Sequence, residues 1–426
     1  MRAKNRYVLG GNEAMPPPGT PDSEGAQHRP VHLRVTWLCG LLLFLEGYDI
    51  AAVGYAIPSL ADAWRVEARA FTATLVAGNF GLLLGSLCVG WLGDRLGRKP
   101  VIICCAATFG LFSLLSALAN SPEKLAGLRF LTGLGLGGGI PVAIALAADF
   151  APPKARGRLV MLMSVGVPIG IAAGGLLAGL FVRLIGWPAI FVAGGVAPLA
   201  MVPFLALWLP ESGPLNVASR RRNPAAALFL NGLAPITLLL WAINLFSLLG
   251  VNFILLWTPA LLHNAGVSPS QAIFTTTVYA LSVIASPFLM APIVDRFGME
   301  RGLACALAFG ACCLLLIGVF DPPLWLLMPI IWGTGIGGGC QAGINALSGL
   351  AYPSAIRSTG AGWALGAGRI GAIVGPLLGG VLLALGFRAQ GIFATAAIPA
   401  FGATLLMTIL ARLRLGERSS SDEGPA

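Results

Sequence analysis

Charge is what this chain has least of. Only 10% of its 426 residues are Asp, Glu, Lys or Arg, against about 25% in a typical soluble domain. With 57% hydrophobic residues, that scarcity excludes an aqueous globular protein and fits a chain that crosses a bilayer many times. Histidine is nearly absent. His28 and His32 precede the first apolar run and His263 lies in a loop, so neither a Ser/His couple nor a metal-bound catalytic centre can be assembled, and the chain is not expected to be an enzyme. Cys39, Cys88, Cys104, Cys105, Cys305, Cys312, Cys313 and Cys340 all fall inside apolar stretches with no CxxC spacing. They read as small packing residues, and neither disulfide nor metal is expected. The glycine runs lack the following Lys and Ser/Thr of a phosphate cradle, so no cofactor is expected. Residues 1–33 are polar and rich in Pro and Gly, with no apolar centre ahead of a cleavage site. They read as a disordered cytoplasmic tail or a misplaced start, and not as a signal peptide.

What is present is a series of apolar runs of about 20 residues, each long enough to span a bilayer as a helix. They fall near 34–58, 71–93, 100–119, 123–149, 158–183, 186–209, 236–262, 271–293, 301–320, 323–350, 358–384 and 388–411, which predicts an all-α membrane protein of twelve helices. The net charge of +10 raises the question of nucleic acid. Its distribution answers in terms of topology. With the N-terminus in the cytoplasm, most Lys and Arg residues fall on the cytoplasmic side, and only Arg65, Arg69, Lys124, Arg183 and Arg388 fall outside. Both termini are therefore expected in the cytoplasm and the protein in the inner membrane, with no nucleic-acid partner.

The polar stretch 210–235 divides the spans into six and six: an N-terminal bundle over 34–209, a linker, a C-terminal bundle over 236–411 and a cytoplasmic tail over 412–426. The halves are copies. Pro58 and Pro259, Asp94 and Asp295, Arg95 and Arg296, Gly97 and Gly298, Pro152 and Pro353, Arg156 and Arg357, and Gly170 and Gly371 each stand 201 residues apart. The run GLGLGGG at 133–139 returns as GTGIGGG at 333–339. Two six-helix parallel repeats imply a substrate cavity between the halves near the bilayer midplane.

Against that background two acids stand out. Glu46 and Asp49 lie mid-span in LLLFLEGYDIAAVGYAIPSL, where each costs about 2.5–3.5 kcal/mol to insert, so a proton or ion role is expected. Three residues apart, they are expected to point to about the same face and share one environment. Their repeat mates are Ser247 and Gly250, which confines proton chemistry to the N-terminal half. Arg129, in LRFLTGLGLGGGIP, lies about 6 Å below the outer edge of span four by helical rise, with Asp49 about 13 Å below it on span one. It can either bridge to Asp49 or snorkel to the surface. Arg369 lies about 18 Å in from the cytoplasmic end of span eleven. A buried guanidinium there needs an anion, either a substrate carboxylate or an acid such as Glu46 or Asp49. Asn79, Asn244, Asn252, Tyr279, Gln341 and Asn345 are further polar groups at membrane depth, candidates for cavity lining or for helix–helix hydrogen bonds.

Between spans two and three runs GWLGDRLGRKP, residues 90–100. Gly90 and Gly97 allow close approach and a tight turn, Asp94 can accept from a neighbouring helix N-terminus or an Arg, and Arg95 and Arg98 can face headgroups. The segment resembles the signature loop of the major facilitator superfamily, with a weaker second copy, APIVDRFGMER, carrying Asp295 and Arg296. In that family the loop gates, which implies a locking role for Asp94 and Arg95. The segments LEGYDIAAVGYAIPSLA, RFLTGLGLGGGIP and GGGCQAGINALSGLAYPSAIRSTGAGWALGAGRIGAIVGPLLGG resemble one branch, the aromatic acid/proton symporters. Glu46 stands where many of its members carry Asp, and this Glu form resembles the hydroxyphenylpropionate subgroup. The resemblance implies uptake of a benzoate, hydroxybenzoate or hydroxyphenylpropionate with a proton, by a monomer. It implies Asp49 as the essential acid, Glu46 its companion and Arg129 the span-four arginine. Proton-driven efflux on the same fold and a non-transporting sensor of aromatic acids are the competing readings.

Overall fold

The computed structural model describes residues 21–211, 224–230, 232–264, 269–320 and 322–422. The described chain is helical throughout: α1 (Pro21–Trp64), α2 (Thr72–Leu96), α3 (Arg98–Ser116), α4 (Pro122–Phe150), α5 (Arg156–Ser164), α6 (Gly166–Leu184), α7 (Pro188–Trp208), α8 (Pro224–Ala227), α9 (Leu233–Asn264), α10 (Pro269–Phe297), α11 (Met299–Phe320), α12 (Leu324–Gly339), α13 (Gln341–Leu350), α14 (Arg357–Ala384) and α15 (Ala389–Asp422).

Among the described residues, eleven helices are long and apolar enough to cross a membrane. The tenth expected span, 323–350, is instead two helices of 16 and 10 residues meeting at Cys340. Five glycines in GTGIGGG weaken that stretch, since each costs about 1 kcal/mol relative to Ala in a helix. The fifth expected span, 158–183, also breaks, at Val165 between α5 and α6. Pro168 lacks the N–H that would bond Ser164 and its ring crowds that carbonyl. Both ends run longer than expected. Helix α1 begins at Pro21, inside the stretch read as a disordered tail, and α15 continues to Asp422. Residues 1–20, residues 212–223 of the linker and residues 423–426 lie outside the described part.

Elsewhere local chemistry sets the boundaries. Ser121 caps α4 by accepting from the Lys124 N–H at 3.3 Å, followed by Pro122 and Glu123 in the first turn, a favoured order of cap, proline and acid. The turns between α2 and α3 and between α10 and α11 hang on Gly97 (φ 103°) and its repeat mate Gly298 (φ 87°), backbone values that L side chains resist.

Val35 near the start of the first span, Leu209 after α7, Leu228 after α8 and Leu410 of α15 meet in one core, so the described ends of both halves share one end of the molecule, here the terminal face. The largest apolar core sits at this end and crosses the seam between the halves, joining Ile144, Leu146 and Met161 to Leu303, Leu347 and Ala361. Toward the opposite face the core divides in two. One cluster, around Ala52, Leu60 and Phe191, belongs to the N-terminal half; the other, around Phe253, Ile331 and Phe393, belongs to the C-terminal half. The halves are thus sealed at the terminal face and separately packed at the other.

Candidate functional site

In the N-terminal half, the start of α4 carries Arg129 down onto α1. Its Nη2 donates to Asp49 Oδ2 at 2.6 Å, with both side chains all but excluded from solvent. Arg129 therefore bridges and does not snorkel. The guanidinium also lies over the Phe191 ring, 5.6 Å from its centroid. On the other carboxylate oxygen, the Ser113 hydroxyl of α3 donates to Asp49 Oδ1. A buried pair like this is fragile to the loss of one member, which strands a charge at about 3–5 kcal/mol.

Glu46 does not share that environment. Its carboxylate is fully buried, neither oxygen has a hydrogen-bond partner among the described residues, and Oε1 occupies the space that a Cβ on Gly139 would need. Three residues along a helix amount to about 4.5 Å of rise and 60° of rotation, enough to set the two acids against different neighbours. Cys39 and Cys105 are close enough to feel the Glu46 charge, and the cation that acts on it is Arg369 of α14, in the other half. Arg369 is half-buried and makes no hydrogen bond or ion pair among the described residues. A Cβ on Gly368, just before it, would lie 3.3 Å from the Cβ and the carbonyl oxygen of Asn244.

Asn244 is the hub of an amide cluster. Its Nδ2 donates to Leu240 O at 2.9 Å and to Ser348 Oγ at 3.0 Å, and its Oδ1 accepts from Gln341 Nε2 at 3.2 Å. Gln341 Nε2 also reaches Asn345 Oδ1 at 2.8 Å, while Gln341 Oε1 is buried without a partner among the described residues. Gln341 and Asn345 therefore come together around Asn244, against which Gly368, the residue before Arg369, is set. Two other candidates do not join them. Asn252 donates to Leu248 O in its own helix. Tyr279 is buried, its hydroxyl has no partner among the described residues, and it lines a separate cavity inside the C-terminal half. Asn79 donates to Leu75 O and borders a cleft beside Asp49.

Those two hollows are copies. The N-terminal cleft is lined by Asp49, Ile50, Val53, Gly78, Gly133 and Leu136, with Arg129. The C-terminal cavity is lined by Gly250, Val251, Ile254, Tyr279, Thr334 and Gly337, each 201 residues further on. One copy holds an ion pair and the other is neutral.

At the terminal face the signature loop closes the seam. Asp94 accepts from the Ser358 N–H at 3.1 Å, the Thr359 N–H at 2.7 Å and the Thr359 hydroxyl at 2.8 Å. These are the opening residues of α14, so the acid caps a helix of the opposite half and complements its dipole. Gly90 permits the approach, since a Cβ there would meet Ser358 O at 2.6 Å. Arg98 donates to Ala145 O at 3.0 Å and to Ser354 O at 2.6 Å, and shares the Asp149 carboxylate with Arg357. Across the seam Asp295 pairs with Arg158 at 2.6 Å, both partly exposed. Two expected members of the lock stand apart. Arg95, one residue and about 100° round the helix from Asp94, lies over Trp91 at 4.1 Å. Arg296 lies over Phe297 at 5.3 Å.

Sequence reasoning missed Ser113, Asp149, Arg158, Arg357 and Thr359 as site residues. Asp149 alone carried a signal, as an acid ending a span where basic residues dominate. Arg158 and Arg357 were absorbed into the positive-inside count, and nothing in a serine or threonine marks it as a partner of a distant acid.

The family model for the Major Facilitator Superfamily matches residues 39–261 and 240–426. The chain is 38% identical to the 3-(3-hydroxy-phenyl)propionate transporter of Escherichia coli strain K12, covering 88% of this chain and 92% of that one. It is 32% identical to the gallate transporter of Pseudomonas putida, with 89% and 91% covered, and 31% identical to the 4-hydroxybenzoate transporter PcaK of Pseudomonas aeruginosa, with 88% and 91% covered. Among solved structures, the proton:xylose symporter XylE superposes with a TM-score of 0.72 at 18% identity, covering 89% of this chain and 96% of that one. The duplicated bundles, the loop that caps across the seam and these relatives agree: the chain belongs to the Major Facilitator Superfamily.

Proposed function

We propose that the protein takes up an aromatic carboxylate of the hydroxybenzoate, benzoate or hydroxyphenylpropionate type across the inner membrane, together with a proton, by alternating access. The observation that carries the reading is Arg369, a cation at membrane depth with no ion-pair partner among the described residues, facing Glu46 across the halves. An anionic substrate supplies the counter-charge such a group requires. The names of the relatives support an aromatic ring on that anion. Asp49 and Arg129 form the coupling pair. A carboxylate whose partner arginine can be drawn away by an anion takes up a proton when that happens. Glu46 tunes the approach of Arg369, and Gln341 and Asn345 offer polar contacts to the substrate. With both termini in the cytoplasm, the sealed face is the cytoplasmic one. The protein works as a monomer, with the proton as its coupling ion.

The test is accumulation in proteoliposomes. Radiolabelled 4-hydroxybenzoate and 3-(3-hydroxyphenyl)propionate should concentrate inside when the lumen is alkaline relative to the bath, and the uncoupler should abolish it. Concentration of neither acid, under any gradient, would overturn the reading. Expression in cells separates uptake from efflux, because efflux lowers the internal level of the labelled acid.

A further inference from the structure

We infer that Ser113 on α3 is a positioning residue for proton coupling, holding Asp49 from the side opposite Arg129, and that Gly194 on α7 exists to leave room for that contact. The inference rests on the reading of Asp49 as the coupling acid. Ser113 is fully buried, and its hydroxyl donates to Asp49 Oδ1 while Arg129 donates to Oδ2. Each oxygen of the acid thus has its own donor, and the two donors come from different helices. A Cβ on Gly194 would lie 2.9 Å from Asp49 Oδ1 and 3.0 Å from Ser113 Oγ, pressed against both atoms of the bond. The glycine is where the site would otherwise be wedged apart.

The remaining charged and titratable groups do not duplicate this role. On α1 itself Glu46 lies a turn away against Gly139, and Tyr48 sends its hydroxyl to Ile190 O at 3.0 Å. Helix α4 supplies Arg129 alone, α6 meets α1 here through Gly170 and Gly174, α2 borders the cleft with Thr74 and Asn79, and Arg369 of α14 acts on Glu46. The Ser113 O–H is therefore the one neutral donor to the acid among the described residues. When an anion draws Arg129 away, this bond stays, and it sets how readily the freed carboxylate takes its proton. A hydrogen bond to the charged form favours that form, so its removal moves proton uptake to higher pH.

The experiment compares Ser113→Ala, Gly194→Ala, the double variant and Ser113→Thr in proteoliposomes, recording uptake of 4-hydroxybenzoate against pH. Either alanine change should move the profile alkaline by about one unit, the size expected for one charge-assisted bond. The double variant should move no further than the single ones, because both break the same contact, and Ser113→Thr should keep the original profile. Unmoved profiles in Ser113→Ala and Gly194→Ala, alongside an Asp49→Asn protein that no longer concentrates substrate, would overturn the role of Ser113 and leave the coupling acid in place. Full accumulation by Asp49→Asn would overturn both. Should Ser113→Ala fail to fold, Gly194→Ala against Gly194→Ala/Ser113→Thr carries the same comparison.

Discussion

The two halves hold the same hollow and use it differently. In the N-terminal half it contains Asp49 and Arg129, locked at 2.6 Å; in the C-terminal half Gly250 stands for the acid and Tyr279 brings the only ionisable side chain among the lining residues. The gates differ in the same direction. Asp94 is buried and caps α14 with three hydrogen bonds, while its mate Asp295 makes one exposed pair with Arg158. The positions still correspond, since Thr359 and Arg158 stand 201 residues apart. Duplication preserved shape and register, whereas charge survived burial in one copy only. A buried pair has to offset several kcal/mol of desolvation per ion. On the proposed function, the C-terminal half is then free to meet an anion with Arg369.

The largest effect that separates the halves should come from Asp49→Asn. It should abolish concentrative uptake and, by stranding Arg129, lower stability by about 3–5 kcal/mol, read as a fall in melting temperature in detergent. Wild-type stability would mean that Arg129 finds another anion and that the halves differ less than their charges suggest. Next, Arg369→Gln should raise KM for 4-hydroxybenzoate on the order of fiftyfold, the worth of one charge-assisted contact. Arg369→Lys should recover only part of this, because lysine lacks the planar fork. An unchanged KM in both would remove the C-terminal half from anion binding.

The gates give the third comparison. Asp94→Ala should weaken the sealed terminal face by about 3 kcal/mol, on the order of a hundredfold in its population. Asp295→Ala should weaken it by less than about 1 kcal/mol, because its pair is exposed and screened. Accessibility of a single cysteine introduced at Ala361, buried at the seam, to a thiol reagent from the terminal side reads both; equal effects would break the asymmetry. The smallest change is Gly250→Ala. Its Cβ meets nothing within 4 Å, so the protein should gain up to about 1 kcal/mol from helix propensity with accumulation unchanged. A loss of uptake would show that the neutral hollow takes part in the cycle.

Much of this was legible beforehand. Hydropathy and the 201-residue repeat give the helices and their pairing, because both depend on residue types that one sequence displays. The Asp49–Arg129 bridge was legible as one of two alternatives, since two opposite charges at membrane depth need one another. The separation of Glu46 from Asp49 was not, because it turns on which neighbour has a missing side chain, Gly139 in this case. Nor were the breaks at Val165 and Cys340, where Pro168 and a glycine run weaken helices that hydropathy alone joins. Asp149 escaped because its partners, Arg98 and Arg357, come from elements 51 and 208 residues away.

The single core that bridges the halves at the terminal face, dividing in two beyond it, gives the transport cycle a thermal signature. Opening that face uncovers apolar side chains such as Ile144 and Leu347 to a water-filled cavity, so the step carries a positive heat-capacity change. The balance between the two orientations is then curved in temperature. Because burial of this kind weakens on cooling, cold loosens the sealed face while leaving the ion pair of the N-terminal cleft in place. An Arrhenius plot of uptake should bend for a reason that lies in the protein as well as in its lipids.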